Sequence, residues 1–366
     1  MTIVHVLESG GGTAEFVLLL VRYLPNHHHV IIYSDRTFGD RLQQVKESNA
    51  NASFVFWENA QREISFLKDI KAAISLYRLL KNVDDDAVHL HSSKAGFIGR
   101  LVCFFLGKKK VIYTPNGISF LREDVADVRR GIFLNLEILA HWIKGEIICC
   151  SKSEAGEFIK KGINCAYICN GTEVFDYPLE RKNNDSIIIA TCGRACTQKN
   201  PSLFNAIAQH FKDDPIFKFV WIGGGEQEHL LDSSNVTITG WLSRDEVTDE
   251  LAKSDVYLST ALWEGLPFAV LEAMNLKKPL ILSHCTGNVD LVSNDYNGFV
   301  FHSKNEAIQR ILFFKENLDK IDSFGRNSHK IVSVDFNVIF MAENYEKAYT
   351  SLVPSAAAKG SLSEKA

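Results

Sequence analysis

The sequence predicts an α/β protein built as two Rossmann-like domains in tandem, each a parallel sheet covered on both faces, the two facing a central cleft. Three observations carry that reading. Short apolar runs of strand length alternate with helical patterns along the chain. A polar stretch at 178–186, containing Glu-Arg-Lys-Asn-Asn-Asp, interrupts the alternation, and the same grammar restarts after it. The 366 residues amount to more than two ordinary domain lengths.

Each element has its own signal. In the first domain, 1–177, apolar runs predict strands at 2–7, 30–34, 87–91, 111–114 and 146–150. Helical spacing predicts helices at 14–24, 64–81, 96–106 and 129–143. The stretch 178–186 reads as a linker. In the second domain, 187–335, strands are expected at 187–191, 217–222, 236–239, 256–259, 279–283 and 298–301, with helices at 202–211, 243–253 and 268–275. Ser243 and Glu246 form a capping box that opens the second of those helices. A final helix within 336–352 is expected to cross back to the first domain, and an Ala/Ser/Lys tail, 353–366, to be disordered.

Composition narrows the function. Apolar residues at 46% and charged residues at 23% are globular values, which excludes disordered, collagenous and coiled-coil classes. Forty basic against 44 acidic residues argue against a nucleic-acid partner. The apolar runs 16–24 and 131–143 are respectively too short to span a bilayer and broken by Asn135, Glu137 and His141. With no signal-peptide pattern, a cytoplasmic protein is expected. Cys149, Cys150, Cys169 and Cys192 sit in or beside strand-like runs, and the pairs Cys165/Cys169 and Cys192/Cys196 lack zinc-ribbon spacing, so no metal is expected. His27–His29 reads as a surface loop tract.

Three stretches carry chemistry. Gly10–Gly12 lies between a strand and a helix, where backbone without Cβ atoms can approach a phosphate or sugar; a tight structural turn is the alternative. A dinucleotide fingerprint is disfavoured because Glu15 stands at its third glycine position. Gly193 to Pro201 follows another strand and carries Arg194 and Lys199, a planar fork and a mobile point charge suited to a diphosphate, or else a pair of solvated cations. Gly223–Gly225 offers a second close backbone approach. The third stretch runs from Glu264 to Glu272, with the amides near Gly265 and Leu266 and with Pro267 opening a helix. Eight helical steps would separate the two carboxylates by ~12 Å, beyond the roughly 5–9.5 Å of a glycosidase pair. Two ligand contacts therefore fit better than an acid/base couple.

Taken in order, Gly193-Arg194, Lys199-Asn200-Pro201, Gly223–Glu226 and the Glu264/Glu272 spacing resemble the retaining glycosyltransferases of family 4, whose fold is the two-domain GT-B type. Gly11 to Glu15 resembles that family's first glycine loop, and Cys169-Asn170-Gly171 its interdomain segment. The resemblance implies that Arg194 and Lys199 hold the diphosphate of a nucleotide-sugar and stabilise the charge of the leaving group. It implies that Glu264 bonds the donor sugar together with the amides of Gly265–Pro267, that Glu272 takes the ribose, that Gly193 and Gly224 approach the donor, and that Gly11 and Gly12 approach the donor's diphosphate or the acceptor from the other domain. Where relatives often carry histidine, this chain has Asn116, a binding candidate with no ionisable proton near neutral pH. His91 and Lys94, in a segment resembling the His-Ser-Ser-Lys-Ala-Gly of enzymes that extend polyprenyl-linked sugars, are acceptor candidates; a capped helix start with a packed histidine is the alternative.

The stretch Gly99–Lys110, an apolar helix edge ending in three lysines, is a candidate contact with the cytoplasmic face of a membrane or, alternatively, a core helix with a solvated basic end. The expected activity is transfer, with retention, of a hexose or N-acetylhexosamine from a nucleotide-sugar. A uridine donor is preferred, the acceptor is a lipid-linked saccharide of bacterial surface polysaccharide, and no cofactor or metal takes part. A sugar-nucleotide epimerase of the same fold, a nicotinamide oxidoreductase and a non-catalytic carbohydrate-binding or scaffold protein are the competing readings.

Overall fold

The computed structural model describes residues 1–61, 65–177 and 186–350. The expected tail at 353–366 and all of the expected linker but Ser186 lie outside them. The chain divides into two compact units: Met1–Ser119 with Ile132–Cys169 and the chain from Ala342 onward, and Phe120–Gly131 with Asn170–Met341.

The elements of the first part of the chain are β1 (Thr2–Leu7), α1 (Gly12–Tyr23), β2 (His28–Tyr33), α2 (Asp35–Phe38), α3 (Leu42–Glu47), β3 (Ala52–Phe56), α4 (Phe66–Lys81), β4 (Ala87–His91), α5 (Ser93–Phe105), β5 (Val111–Thr114), α6 (Asp127–Ile143), β6 (Glu146–Cys149), α7 (Lys152–Lys160) and β7 (Ala166–Tyr167). The strands form one sheet in the order β3-β2-β1-β4-β5-β6-β7, every pairing parallel. Parallel strands need crossover helices, so both faces of the central strands are covered and those strands read as near-continuous apolar runs. β1 is buried from Val4 to Leu7. Because β2 begins at His28, the surface-loop reading of 27–29 fails at His29, a fully buried strand residue, while His27 precedes the strand and His28 is exposed.

The second part contains β8 (Ile187–Cys192), α8 (Pro201–His210), β9 (Phe217–Ile222), β10 (Val236–Ile238), α9 (Arg244–Ala252), β11 (Val256–Ser259), α10 (Phe268–Asn275), β12 (Leu280–Ser283), β13 (Gly298–Phe301), α11 (Lys304–Glu316), α12 (Leu318–Asp335) and α13 (Val338–Thr350). Its sheet runs β10-β9-β8-β11-β12-β13, again all parallel. Phe204, Phe219, Trp221, Phe299 and Phe314 belong to its core. Asn200, in the left-handed region, caps α8 with its side chain, and Pro201 supplies the first helical residue without needing a donor. Ser243 and Glu246 close the expected capping box on α9. Of α13, the residues from Ala342 belong to the first unit, as a helix crossing back requires.

In each sheet the chain reverses its winding beside the first strand of the series: between β1 and β4, and between β8 and β11. Loops leaving the carboxyl ends of such strand pairs diverge and leave a crevice for ligand. All three chemical stretches of the sequence start at one of these four strand ends or at that of a neighbouring strand.

Candidate active site

In the second unit, the loop after β8 carries Gly193, Arg194 and Lys199, and the loop after β11 carries Glu264. Since β8 and β11 are paired neighbours, 65 residues of sequence separation collapse to a contact: Lys199 Nζ donates to Glu264 Oε1 at 2.7 Å. Gln198 adds a bond from Nε2 to Glu264 Oε2 at 3.3 Å and another to the carbonyl of Trp263 at 3.0 Å. Burial alone would push the Lys199 ammonium toward deprotonation; the Glu264 carboxylate outweighs it and leaves the pKa above the ordinary lysine value. A permanent cation is thus stored beside a buried carboxylate. Arg194 is exposed on the same loop.

The glycines around this pair are there for packing reasons. Gly223 has a φ of 129°, and a Cβ there would lie 2.4 Å from the carbonyl oxygen of Gly193. Two glycine loops therefore nest directly, a contact no larger residue permits. Gly224 lies next to the exposed Trp241 ring. Gly265, Leu266 and Pro267 are buried ahead of α10, with Pro267 at its N-cap rather than inside its first turn. The Leu266 carbonyl accepts from Asn170 Nδ2 at 3.0 Å. Glu272, half-buried on α10, lines a small pocket with Thr172, Glu173, Phe175, Arg244 and Val247.

The first unit holds the other candidates. Gly11 takes a left-handed φ of 62° as the N-cap of α1, and Gly12 opens that helix. Glu8, at the end of β1, is a residue the sequence reading passed over. Its buried carboxylate accepts from Ser92 Oγ at 2.6 and 2.7 Å and from the amide of Ala95 at 3.2 Å. Burial raises its pKa. It also holds Ser92 at a φ of 70°, a strained conformation for serine. The amino end of α5 is therefore already occupied by a carboxylate. Lys94 is paired to Asp69 of α4 at 2.6 Å. Asn116, half-buried just after β5, sits at a φ of 53°, where asparagine is tolerated.

His91 is corrected by its burial: the side chain is 0% exposed and joins a chain of imidazoles instead of facing an acceptor. The chain has a direction. The Leu24 carbonyl can only accept, so His29 Nε2 carries the proton (3.1 Å), and His29 Nδ1 accepts from His5 Nε2 (3.0 Å). His5 Nδ1 then accepts from His91 Nε2 at 3.1 Å, and His91 Nδ1 is left without a partner. Alongside, His89 bonds the hydroxyls of Tyr349 at 2.7 Å and Thr114 at 2.8 Å. Among the described residues, His5, His89 and His91 alone bring metal-type donor atoms together, within 4.8 Å of one another. Hydrogen bonds already engage all of their nitrogens but one. The eight cysteines are free thiols.

Residues 10–174 match the family described as Glycosyltransferase Family 4, and residues 178–330 the one described as Glycosyl transferases group 1. The chain belongs to glycosyltransferase family 4. This family 4 chain is 28% identical over 378 residues, 96% of each protein, to the UDP-Gal:alpha-D-GlcNAc-diphosphoundecaprenol alpha-1,3-galactosyltransferase of Escherichia coli. It is 27% identical over 175 residues, 45% of each protein, to the N,N'-diacetylbacillosaminyl-diphospho-undecaprenol alpha-1,3-N-acetylgalactosaminyltransferase of Campylobacter jejuni. Among solved structures, HepE of Anabaena in complex with UDP and glucose superposes with a TM-score of 0.78 at 17% identity, covering 96% of this chain and all of that one. The fold of the family 4 chain is accordingly GT-B.

Proposed function

We propose that this glycosyltransferase moves a hexose or N-acetylhexosamine from a UDP-sugar to a lipid-linked saccharide, with retention, in bacterial surface polysaccharide assembly. The observation that carries the reading is the Lys199–Glu264 pair at the switch point of the second sheet. A diphosphate arriving at the Gly193–Lys199 loop competes for the Lys199 ammonium, and Arg194 offers a second, forked contact. Once Lys199 turns to phosphate, the Glu264 carboxylate is released to accept from a sugar hydroxyl, and Glu272 lies on the following helix for the ribose. The donor thus replaces an internal ion pair with two ligand contacts.

In the transfer, the bond from the anomeric carbon to the diphosphate breaks and a bond to the acceptor oxygen forms on the same face. The acceptor proton passes to the departing phosphate oxygen, so the step balances without a metal or a protein nucleophile. Lys199 and Arg194 stabilise the charge that accumulates on the leaving group. The uridine donor is supported by the name of the Escherichia coli relative, the diphosphoundecaprenol acceptor by the names of both relatives, and the α-1,3 products in both names accord with retention. Gly11, Gly12, Gly193, Gly224 and the Gly265–Pro267 segment are assigned to the donor, with Lys94 and Asn116 left to the acceptor.

The test is transfer from a panel of UDP-hexoses and UDP-N-acetylhexosamines to a saccharide-diphosphopolyprenol, with the anomeric configuration of the product read by NMR. Glu264→Gln and Lys199→Met are each expected to lower kcat about 10²–10³-fold while the protein stays folded. Full activity in either variant, or an inverted product, overturns the reading.

A further inference from the structure

Glu264 is 7% exposed, and Lys199 supplies the charge that balances it. A diphosphate that draws Lys199 away removes that balance, and a buried carboxylate left without a partner is costly. Gln198 is the group placed to remain. Its Nε2 donates to Glu264 Oε2 at 3.3 Å and to the carbonyl oxygen of Trp263 at 3.0 Å. Both partners can only accept, which fixes the orientation of the amide: its nitrogen faces the loop after β11. Lys199 uses the other carboxylate oxygen, Oε1. The carboxylate is thus shared, one oxygen held by a cation and one by a neutral amide.

We propose that Gln198 is a positioning residue of the transfer. It keeps Glu264 Oε2 engaged while Lys199 exchanges Oε1 for the diphosphate, so that Oε1 alone turns to the donor sugar. This rests on the proposed movement of Lys199 from Glu264 to phosphate. The chemistry of the two donors decides which of them stays. An ammonium is pulled by an arriving anion, whereas an amide carries no net charge and feels no comparable pull. The bond to Trp263 also anchors the amide on the backbone next to Glu264, wherever Lys199 goes. Joining the two loops is a separate task, done by other groups. The Leu262 amide donates to the Gln198 carbonyl at 2.8 Å, and Thr260 Oγ1 shares its proton between the carbonyls of Lys199 and Asn200, at 2.8 and 3.0 Å. Those bonds do not involve the Gln198 side chain, so its role can be removed without parting the loops.

The experiment compares the native full chain with Gln198→Met, which keeps the side-chain length and removes the donor, and with Gln198→Asn, one methylene too short to reach. Calorimetry measures UDP binding, and steady-state kinetics measure transfer from UDP-galactose and UDP-N-acetylgalactosamine to a saccharide-diphosphopolyprenol. Both variants are expected to keep the native melting temperature and to bind UDP within about twofold of native. Their kcat should fall about tenfold or more, the effect of one hydrogen bond to a charged group. In a Glu264→Ala background, Gln198→Met should change kcat by less than about twofold, because no carboxylate is left to hold. A full further loss in that background overturns the proposal, and so does native kcat in both variants. A fall in UDP affinity as large as the fall in kcat also overturns it, by making Gln198 a brace for the phosphate loop. A crystal structure of the native chain with UDP separates the two levels. Lys199 on phosphate with Gln198 still on Oε2 is the expected result. Lys199 on phosphate with Gln198 detached from Glu264 overturns this proposal alone, and Lys199 still on Glu264 overturns the exchange as well.

Discussion

At the scale of single residues, the candidate site is legible where it is local in sequence. Arg194, Lys199, Glu264 and Glu272 stand in short motifs whose residue types suit the anion and hydroxyl contacts proposed for them. Their mutual arrangement was not legible, because the Lys199–Glu264 bond depends on β8 pairing with β11, and strand order is not written in either loop. Glu8 escaped for a related reason: its partners Ser92 and Ala95 are 84 and 87 residues away. His91 was misread because a motif next to a helix start looks the same whether its histidine faces solvent or core. Gly223 yields a prediction at this scale. Gly223→Ala forces a Cβ against the Gly193 carbonyl at a positive φ, so the nested loops must separate. A loss of about 2 kcal/mol is expected from overpacking and strain, together with weaker UDP binding. Calorimetry checks both, and a native dissociation constant would show that the nesting does not shape the donor loop.

At the scale of elements, strands and helices with strong periodicity were placed to within a few residues, as β4, β5, β9 and α10 show. The helices α11 and α12 were missed. α12 buries Ile321, Phe324, Gly325, Ser328 and Val332 at helical spacing, but two of those five are glycine and serine, so the apolar stripe is faint. Gly325 is small because the Lys277 carbonyl lies against it; a Cβ would stand 2.0 Å from that oxygen. For α6 the apolar pattern was visible and its polar anchor was not: Arg100 of α5 donates to Glu137 Oε2 at 2.6 Å. That buried anchor can be tested. Arg100 is 0% exposed and Glu137 4%. Glu137→Ala leaves a buried guanidinium without its carboxylate and is expected to cost about 3–5 kcal/mol. Arg100→Met/Glu137→Leu, which removes both charges, is expected to fall within about 1 kcal/mol of native stability. Urea denaturation of the two variants decides, and equal losses would mean that the pair contributes shape rather than charge.

At the scale of the whole molecule, the tandem layout was legible because the alternation of strand and helix restarts after the polar break, and the GT-B fold is its physical consequence. What the alternation could not show is that the C-terminal end of the chain helps to build the first unit's core through polar contacts. Tyr349 and Tyr345, both on α13, reach His89 and Thr114 by hydrogen bonds, and Phe16 packs edge-on against His91 and Tyr345. Burial holds His5, His89 and His91 well below the usual histidine pKa and lowers His29 to about 4. The unfolded chain protonates these imidazoles near pH 6.5, whereas the folded unit keeps them neutral. Below that pH the unfolded state binds more protons, and the stability that is complete above it is progressively lost, for His29 over the window from 6.5 down to about 4. Each imidazole that takes up a proton on unfolding contributes roughly 1.4 kcal/mol per pH unit in its window. Thermal melts from pH 7.5 to 4.5 should therefore show a fall in Tm that steepens below 6.5. His5→Phe/His29→Phe replaces two of the titrating groups and should flatten that slope by about two protons, even if the variant is less stable at pH 7. An unchanged slope would mean that the imidazoles are already charged in the fold, which would put unpaired cations at the centre of the sheet.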